Sequence, residues 1–494
     1  MSFPFDDYSN MNKSRLHLWN MPSRQTENPG FHMPGHAGGR FFSDEYRRDL
    51  ISVDTTELAF SDDLHHPKGP ALLAMREASR IYGSGETLFV ETGSTTGIQT
   101  MLASVAGPDS FFLLPRSVHM SVLHSLALLG TEYVFIETKP ADRGDFLFPQ
   151  PSREELEAAL ERYPETTDVL LVSPDYYGQC ADLESLAAAA HEKGARLLVD
   201  EAHGSHFAFG KGIFPPDAMA SGADMSVQSL HKTIPALTMA SQIHISEDAV
   251  KTGRISGERV IEMLGVFETS SPSFVIAASS EYAISWMDLY GRGALRDRIR
   301  ETGDFKRKVL MTGNGIFSFP ESAFFRDPLR IVLRVNPGAV SVADLIRNME
   351  NAGIAAEFAD LTRLVLIVSP WQKEEDFDAL LRILASYRIG EVREADARDR
   401  IEAERLWKNL MTTIPERAMH VRTAMFFARK ESLPIAEAAG EIAGAAIVPY
   451  PPGIPLLWPG ERITAELAGL LAALIRLGIQ VNGIHDGKID IIQQ

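Results

Sequence analysis

Cysteine is nearly absent from this chain of 494 residues, which contains only Cys180. A single thiol excludes a disulfide framework within the chain and any zinc site built from several cysteines. Cys180 follows two tyrosines, a glycine and a glutamine, and we interpret it as a small buried residue rather than a nucleophile.

Basic residues are outnumbered, with 48 Lys and Arg against 66 Asp and Glu, which gives a formal charge of −18 and a pI near 5.3. A nucleic-acid surface is typically a basic patch, so this balance argues against a nucleic-acid partner. An acidic protein is suited to cationic small molecules, although acidity also serves solubility alone.

Long apolar runs are missing as well. One of the longest, residues 364–368, has the length of a strand and is too short to cross a membrane. The first seven residues lack the basic and apolar regions of a signal peptide. We therefore expect a cytoplasmic protein with no membrane association.

The length predicts more than one domain, because a single hydrophobic core rarely serves so long a chain. Residues 1–70 are rich in Pro, Gly and His and predict an arm. Over residues 71–310, helical and strand patterns alternate and predict a large α/β domain whose parallel sheet binds ligand at the C-terminal strand ends. A small α/β domain is predicted for residues 311–390 and a C-terminal module for residues 391–494, with the charged segment 390–404 as a linker.

Several individual elements are predicted within these limits. Residues 152–163 predict a helix with a serine as its N-cap and acids in its first turn. Residues 168–173 and 195–199 predict strands on either side of an alanine-rich helix over residues 183–193. Residues 276–308 predict further helix that leads out of the large domain.

The segment Ser229-Leu230-His231-Lys232 follows Asp200 by about thirty residues and carries the clearest chemical signal. Asp200 ends an apolar run, as a buried parallel strand does when it delivers a carboxylate to a site. A lysine can form a Schiff base with pyridoxal 5'-phosphate (PLP), and an acid can hold the pyridine nitrogen protonated so that the ring accepts electrons. Lys232 alone is equally compatible with a solvated surface residue, and the pairing with Asp200 favours the cofactor.

A turn rich in Gly, Ser and Thr surrounds Ser94 and Thr95, before a helical pattern that begins at Ile98. Such a turn offers backbone N–H groups, hydroxyls and the positive end of a helix dipole to a phosphate. The same composition is also typical of a simple capped loop. Ser229 and His231 flank Lys232 closely enough to reach the same phosphate.

Two histidines are candidates for contacts with the cofactor. His119 could stack on the ring, or could begin a helix with a local hydrogen bond. His203 follows Asp200 by three residues and could shuttle protons or orient a substrate carboxylate.

Together, these blocks resemble the bacterial fold-type-I ornithine/lysine/arginine decarboxylases, and the resemblance spans nearly the whole chain. The matching blocks are Phe31-His32-Met33-Pro34-Gly35-His36, Asp62-Asp63-Leu64-His65, Gly93-Ser94-Thr95, Ser173-Pro174, Tyr177-Gly178, Asp200-Glu201-Ala202-His203-Gly204, Ser229-Leu230-His231-Lys232, Ser271-Pro272-Ser273, Tyr450-Pro451-Pro452-Gly453-Ile454-Pro455 and Pro459-Gly460-Glu461. Their order and spacing make the resemblance specific.

The resemblance implies an aspartate-aminotransferase-like α/β fold of type I, PLP as the cofactor, and a homodimer, or a multiple of dimers, with the active site at the interface. At the ring of the cofactor, it assigns the covalent link to Lys232, the pyridine nitrogen to Asp200, ring stacking to His119 and the opposite ring face to Ala202. It assigns the phosphate to Ser94, Thr95, Ser229 and His231. His203 is placed beside the Schiff base, and Ser271 is expected to contact the partner subunit's cofactor. It also implies that the Pro-Pro-Gly module at residues 450–455 helps to close the substrate pocket.

The chain departs from the family pattern outside this cofactor core. The departures are Ala37 in place of the common Lys, Ser117 and Met120 in place of Asn and Lys, Met239 in place of Gln, and Glu441 in a block that lacks the usual Arg and Glu. The receiver-like N-terminal wing of the long inducible decarboxylases is not expected here, nor is their ring assembly. These differences leave open which substrate the protein uses and which reaction it catalyses.

The leading hypothesis is α-decarboxylation of arginine, lysine or ornithine, with an acidic group receiving the cationic side chain. Alternatives are another PLP reaction on the same scaffold (transamination, elimination or oxidation) and a catalytically silent homologue. A nucleotide-binding protein that uses the turn near Ser94 is a remote alternative, because the glycine spacing of phosphate-binding loops is missing.

Overall fold

The computed structural model describes residues 30–58, 60–139, 147–312, 315–321, 325–388, 394–450 and 453–493. The described chain begins with strand β1 (Gly30–Phe31) and helix α1 (Asp44–Leu50). Of the arm predicted over residues 1–70, the first 29 residues lie outside the described ranges. Phe31 is fully buried, so the arm is packed against the rest of the molecule where the description begins.

A seven-stranded sheet forms the centre of the molecule. Its strands are β2 (Glu86–Val90), β3 (Phe111–Leu114), β4 (Glu132–Phe135), β5 (Asp168–Val172), β6 (Arg196–Asp200), β7 (Met225–Ser229) and β8 (Ser241–Ile245). Their order is β2-β8-β7-β6-β5-β3-β4, and only β8 runs antiparallel to its neighbours. The mainly parallel sheet and the fold-type-I class are confirmed, and the central residues of strands such as β5 and β6 are apolar because helices cover both faces.

Helices precede, separate and follow the strands of this sheet in the chain. They are α2 (Pro70–Tyr82), α3 (Ser94–Val105), α4 (Met120–Leu129), α5 (Arg153–Arg162), α6 (Leu183–Glu192), α7 (Leu230–Thr233), α8 (Glu247–Thr252), α9 (Gly257–Phe267), α10 (Phe274–Trp286) and α11 (Arg292–Met311). Ser152 caps α5 in a capping box with Glu155, which confirms the predicted helix start. A π-helical turn, Met287–Gly291, joins α10 to α11, so the predicted helical stretch over residues 276–308 is also confirmed.

A smaller α/β unit follows, with a four-stranded antiparallel sheet in the order β12-β13-β10-β9. Its elements are β9 (Phe317–Ser318), β10 (Arg330–Val335), α12 (Val342–Asn351), β11 (Ala355–Ala356), β12 (Phe358–Ala359), β13 (Arg363–Ile367) and α13 (Glu374–Ser386). Strand β11 pairs in parallel with β1, so the N-terminal segment is held against this unit.

The C-terminal part contains three helices and two small sheets among its described residues. Its elements are α14 (Glu394–Thr412), α15 (Val421–Phe426), β14 (Lys430–Pro434), β15 (Val448–Pro449), α16 (Ala465–Arg476), β16 (Val481–Asn482), β17 (Ile484–His485) and β18 (Lys488–Ile492). The charged segment 390–404 is not a linker from residue 394 onward, because it forms the first half of α14. Its Glu, Arg and Ala residues are strong helix formers, and Ala403 and Trp407 bury one face of the helix.

Within the described ranges, none of the helices combines the length and apolar character that a membrane crossing requires. Cys180 is buried, as predicted.

Candidate active site

A cavity of about 320 Å³ lies at the C-terminal ends of the central strands, next to the first turns of α3 and α4. The residues that line it are Thr92, Gly93, Ser94, Thr95, Ile98, Ser117, His119, Ser121, Val172, Asp175, Tyr176, Asp200, Ala202, His203, His231, Lys232, Met239 and Ile454. Parallel α/β sheets bind ligands at this edge because the strand ends and helix N-termini meet there. The volume is at the lower end of small-molecule sites, about 300–1,000 Å³.

Asp200 is the last residue of β6, and its carboxylate is buried in the cavity wall. Its Oδ1 accepts a hydrogen bond of 3.1 Å from the backbone N–H of Ala202, and its Oδ2 has no hydrogen-bond partner among the described residues. Burial raises the pKa of Asp200, and the charge of Lys232 and the Ala202 amide oppose that rise. A ring N–H in the cavity would satisfy the open oxygen and favour the charged carboxylate.

Lys232 lies in the short helix α7, which directly follows β7. Its Nζ is 3.2 Å from Nε2 of His203. Burial lowers the pKa of Lys232, although the charges of Asp200 and Glu357 act in the opposite direction. A lowered pKa increases the fraction of neutral amine, which is the form that attacks a carbonyl carbon.

His203 stands between Lys232 and the small α/β unit. Its Nδ1 is 3.2 Å from Nη2 of Arg330, and its ring lies 4.6 Å from the ring of Tyr176 at an interplanar angle of 56°. Burial, followed by the charges of Lys232 and Arg330, holds the pKa of His203 well below its usual range. The imidazole is therefore neutral at physiological pH.

Sequence reasoning missed Tyr176 and Arg330 as residues of this site. Tyr176 had a usable signal, since it follows the end of β5 and the ends of neighbouring parallel strands meet at one edge. Arg330 had none, because it begins β10 in the small unit and reaches His203 only through the packing of that unit on the large sheet.

Three of the four predicted phosphate-binding residues, Ser94, Thr95 and Ser229, lie at the start of α3 or contact it. Gly93 precedes this twelve-residue helix with a φ of 92°, a backbone conformation that favours glycine, and it exposes the first N–H groups of the helix. The hydroxyl of Ser229 donates a 2.6 Å hydrogen bond to that of Ser94. Thr95, in the first turn of α3, and His231 both line the cavity. This arrangement presents hydroxyls and a helix N-terminus to an anion.

His119 is the N-cap of α4 and also lines the cavity. Its Nδ1 accepts a hydrogen bond of 3.2 Å from the backbone N–H of Ser121. Burial, followed by the charges of Lys232 and His124, lowers the pKa of His119 to about 4. The two interpretations made from the sequence are thus compatible, because one ring nitrogen caps the helix while the ring faces the cavity.

Ser271 lies apart from these residues. It is exposed, it contacts the hydroxyl of Thr269 at 3.3 Å, and it does not line the cavity of its own chain. Its contact with a partner subunit's cofactor stays a prediction.

The C-terminal part contributes Ile454 to the cavity wall, and Gly453 lies close to the ring of His119. Residues 451 and 452 of the Pro-Pro-Gly module lie outside the described ranges. Of the departures from the family pattern, Met239 lines the cavity with a positive φ of 78°, whereas Glu441 does not line it.

Comparison with known proteins agrees with this geometry. Residues 21–322 match the profile described as "Orn/Lys/Arg decarboxylase, major domain", and residues 404–484 match "Orn/Lys/Arg decarboxylase, C-terminal domain". The chain belongs to the Orn/Lys/Arg decarboxylase family. It is an amino-acid decarboxylase, and its cofactor is pyridoxal 5'-phosphate.

Relatives of this decarboxylase match along most of its length. An uncharacterized protein of Bacillus subtilis, YaaO, is 35% identical over 464 residues, covering 92% of each chain. An arginine decarboxylase of the same organism is 29% identical over 474 residues, covering 94% of each chain. The solved structure of lysine decarboxylase A from Pseudomonas aeruginosa has a TM-score of 0.76 at 20% identity over 97% of this chain and 82% of that one, which shows the shared fold.

The residues of this decarboxylase fit PLP. The open oxygen of Asp200 suits the pyridine N–H, the N-terminus of α3 with Ser94 suits the phosphate, and the amine of Lys232 suits the aldehyde carbon. The individual assignments of residues to parts of the cofactor stay predictions.

Proposed function

We propose that this decarboxylase removes the α-carboxylate of arginine as CO₂ and releases the corresponding amine. The observation that carries the reaction is the convergence of the buried side chains of Lys232, Asp200 and His203 on one small cavity. The full-length likeness to an arginine decarboxylase supports arginine over lysine and ornithine.

When bound, PLP supplies an electron-accepting ring that stabilises the charge left at Cα as the carboxylate departs. Asp200 keeps the proton on the ring nitrogen, because its buried carboxylate has an open oxygen for that N–H. Lys232 anchors the cofactor and, as a neutral amine, takes up and returns a proton at Nζ. His203 holds a proton beside Nζ, and Tyr176 and Ile454 help to exclude water.

Glu357 is our candidate for the acid that receives the cationic side chain of the substrate. Its Oε2 accepts a hydrogen bond of 2.9 Å from the backbone N–H of Met33, which anchors the carboxylate at the edge of the small unit. Its charge acts on both Lys232 and Tyr176, so it lies near the cavity. Carboxylates bind guanidinium groups well because two parallel hydrogen bonds are possible.

The reaction is tested with the purified holoenzyme by offering arginine, lysine and ornithine and following CO₂ release together with the visible absorbance of bound PLP. We expect the highest kcat/KM with arginine. Fastest release from lysine or ornithine would correct the substrate. Bound PLP without CO₂ from any of the three would overturn decarboxylation of these amino acids and favour another PLP reaction, and a protein that takes up no PLP would favour a silent homologue.

The role of Glu357 is tested with Glu357→Gln. Loss of a charged hydrogen bond costs about 1.5–3 kcal/mol, so we expect KM for arginine to rise about tenfold or more with a smaller change in kcat. The exposed Glu350→Gln, on α12 of the same unit, is the matched control and should leave KM unchanged. An unchanged KM in Glu357→Gln would remove Glu357 from substrate binding.

We also propose that the chain forms a homodimer, with Ser271 directed toward the partner subunit. An exposed apolar patch supports this, because part of the patch lies on α10, the helix that begins just after Ser271. The patch comprises Ile51, Val53, Leu73, Tyr282, Leu289 and Tyr290.

A further inference from the structure

Arg330 is a fully buried arginine whose side chain makes one hydrogen bond among the described residues. That bond runs from Nη2 to Nδ1 of His203 over 3.2 Å. Its Nε and Nη1 are buried without a hydrogen-bond partner in the described part of the chain, and none of the ion pairs found there includes it. A buried arginine is usually paired with a carboxylate, so this placement against a histidine is unusual.

The chemistry of the guanidinium group decides the protonation of the histidine that it contacts. Arginine has only N–H donors and stays charged at any pH that a protein survives, so Nδ1 of His203 has to be the acceptor. A neutral imidazole that accepts at Nδ1 carries its proton on Nε2. That nitrogen is the one that lies 3.2 Å from Nζ of Lys232.

We propose that Arg330 is a positioning residue that fixes His203 as a neutral imidazole with its proton on Nε2, directed at Lys232. His203 then acts in the site as a hydrogen-bond and proton donor at one defined atom. It does not act as a base that collects a proton from substrate.

The groups around His203 reinforce this state. Lys232 faces it from α7, Arg330 from β10, and the ring of Tyr176 from the segment after β5. His119 at the start of α4 and His231 in α7 add a further positive influence when they are charged. A second proton on His203 would place a cation against the charged guanidinium of Arg330 in a desolvated space. The proton on Nε2, in contrast, faces Nζ of Lys232, whose neutral amine has a lone pair that accepts it. The ring therefore stays neutral across the working pH range.

The tautomer can be measured in the cofactor-free protein, so the result does not depend on the proposed reaction. The chain has 14 histidines, and selective ¹⁵N-histidine labelling with His203→Gln as the assignment variant identifies the His203 signals in NMR spectra. We expect an unprotonated Nδ1 and a protonated Nε2 between about pH 5 and 8, the range in which an ordinary histidine titrates. A proton on Nδ1, or a charged ring within that range, would overturn the proposal.

Two substitutions test whether Arg330 is the cause. In Arg330→Gln, the side chain has no charge and can donate or accept, so we expect both tautomers of His203 and a titration that enters the range of about pH 5 to 8. In Arg330→Lys, the charge and a donor remain, and the Nε2–H tautomer should persist. Arg334→Gln removes a cation from the same strand and serves as the control, with the parent spectrum expected.

The holoenzyme supplies a second measurement. The pH profile of kcat should gain one ionisation in Arg330→Gln, with kcat lowered about tenfold or more, and should revert toward the parent shape in Arg330→Lys. Parent-like spectra and pH profile in Arg330→Gln would refute the proposal. If that variant does not fold, the tautomer in the parent protein and in Arg330→Lys still decides the question.

Discussion

At the scale of single residues, burial sets the protonation states that PLP chemistry requires. The same desolvation that lowers the pKa of Lys232 raises that of Asp200, and each charge partly offsets the effect on the other. Neutral histidines surround the pair, because burial lowers the pKa of His119 and His231 to about 4 and holds the pKa of His203 well below its usual range. The site thus contains an acid that gains from a ring N–H and an amine that is ready to react.

Asp200→Asn tests the acid. The variant should still bind PLP, because Lys232 and the predicted phosphate contacts remain, but kcat should fall about 100-fold or more, since an amide does not keep the ring nitrogen protonated. Visible absorbance measures the bound cofactor and CO₂ release measures kcat. The exposed Asp399→Asn on α14 is the control, and an undiminished rate in Asp200→Asn would exclude the predicted role.

Residues of the site that belong to sequence-local motifs could be predicted, and those that arrive from other parts of the fold could not. Lys232, Ser229 and His231 share one segment, and Asp200 is marked by the apolar strand before it. Arg330, which contacts His203, and Glu357, our proposed substrate-binding acid, reach the region of the cavity from the small unit, more than ninety residues after Lys232 in the chain. Only the packing of the small unit on the large sheet brings them there.

At the scale of elements, buried charges connect segments that are distant in sequence. Arg116, just before α4, forms a bidentate ion pair with Glu461 of the C-terminal part, and both side chains are buried. Nη2 of Arg116 also donates to the carbonyl of Leu456 over 2.9 Å, and Glu461 accepts from the N–H of Trp458 over 2.8 Å. Because Leu456 lies two residues after Ile454, this pair holds the C-terminal wall of the cavity in place.

Removing one partner of this pair should strongly destabilise the protein. An unpaired buried charge costs about 3–5 kcal/mol, so Arg116→Met and Glu461→Leu should each lower the free energy of unfolding by about that amount. The double variant should lose less than the sum of the two, because no charge is left unpaired. Urea unfolding of all four proteins gives the comparison, and single-variant losses below about 1 kcal/mol would show that the pair is not important for stability.

A second buried carboxylate makes stability depend on pH. The side chain of Asp224 accepts hydrogen bonds of 2.8 Å from the N–H of Leu197, from Nε of Arg254 and from Nε2 of His191. Burial alone would raise the pKa of Asp224, but these hydrogen bonds and the charge of His191 hold it below its usual value of 3.8. The folded state therefore binds this proton less readily than the unfolded state does.

The resulting stability is fully present above pH 3.8 and is lost as the pH falls below that value through the lower folded pKa. Asp224→Asn should have a lower Tm than the parent at neutral pH, and the difference should narrow as the pH falls below 3.8. Calorimetric scans of both proteins from neutral to acidic pH measure it. A difference that stays constant or widens in acid would contradict the prediction.

The sequence was a good guide to regular elements and a poor guide to segments whose role depends on packing. Local signals such as the capping box at Ser152 predicted helix starts, because their hydrogen bonds lie within a few residues. The charged segment at the start of α14 was wrongly predicted to be a linker, since composition does not show that Ala403 and Trp407 lie on one buried face. The division into four segments at residues 70, 310 and 390 stays a prediction.

At the scale of the whole molecule, the exposed apolar patch lies beside the segment that carries Ser271. Helix α10 contacts both α2 and the turn at Ile51–Val53, and it continues into the π-helical turn with Leu289 and Tyr290. Leu289 is 72% exposed and Ile51 is 70% exposed, which is costly for a single chain in water. A second copy of the chain on this patch would bury these side chains. Its surface would then lie close to Ser271, which lies just before the N-terminal end of α10.

Sedimentation equilibrium tests this assembly. The parent should have twice the chain mass of 54.5 kDa, and Leu289→Glu should shift it toward the mass of one chain, because a buried carboxylate in an apolar interface is strongly unfavourable. Leu128→Glu, at an exposed leucine of α4 outside the patch, should remain a dimer.

PLP affinity gives a second measurement of this assembly. If Ser271 contacts the partner subunit's cofactor, Leu289→Glu and Ser271→Ala should both weaken PLP binding, and only Leu289→Glu should change the mass. A parent protein at the mass of one chain would contradict the dimer, and a dimer that withstands Leu289→Glu would place the interface on another surface.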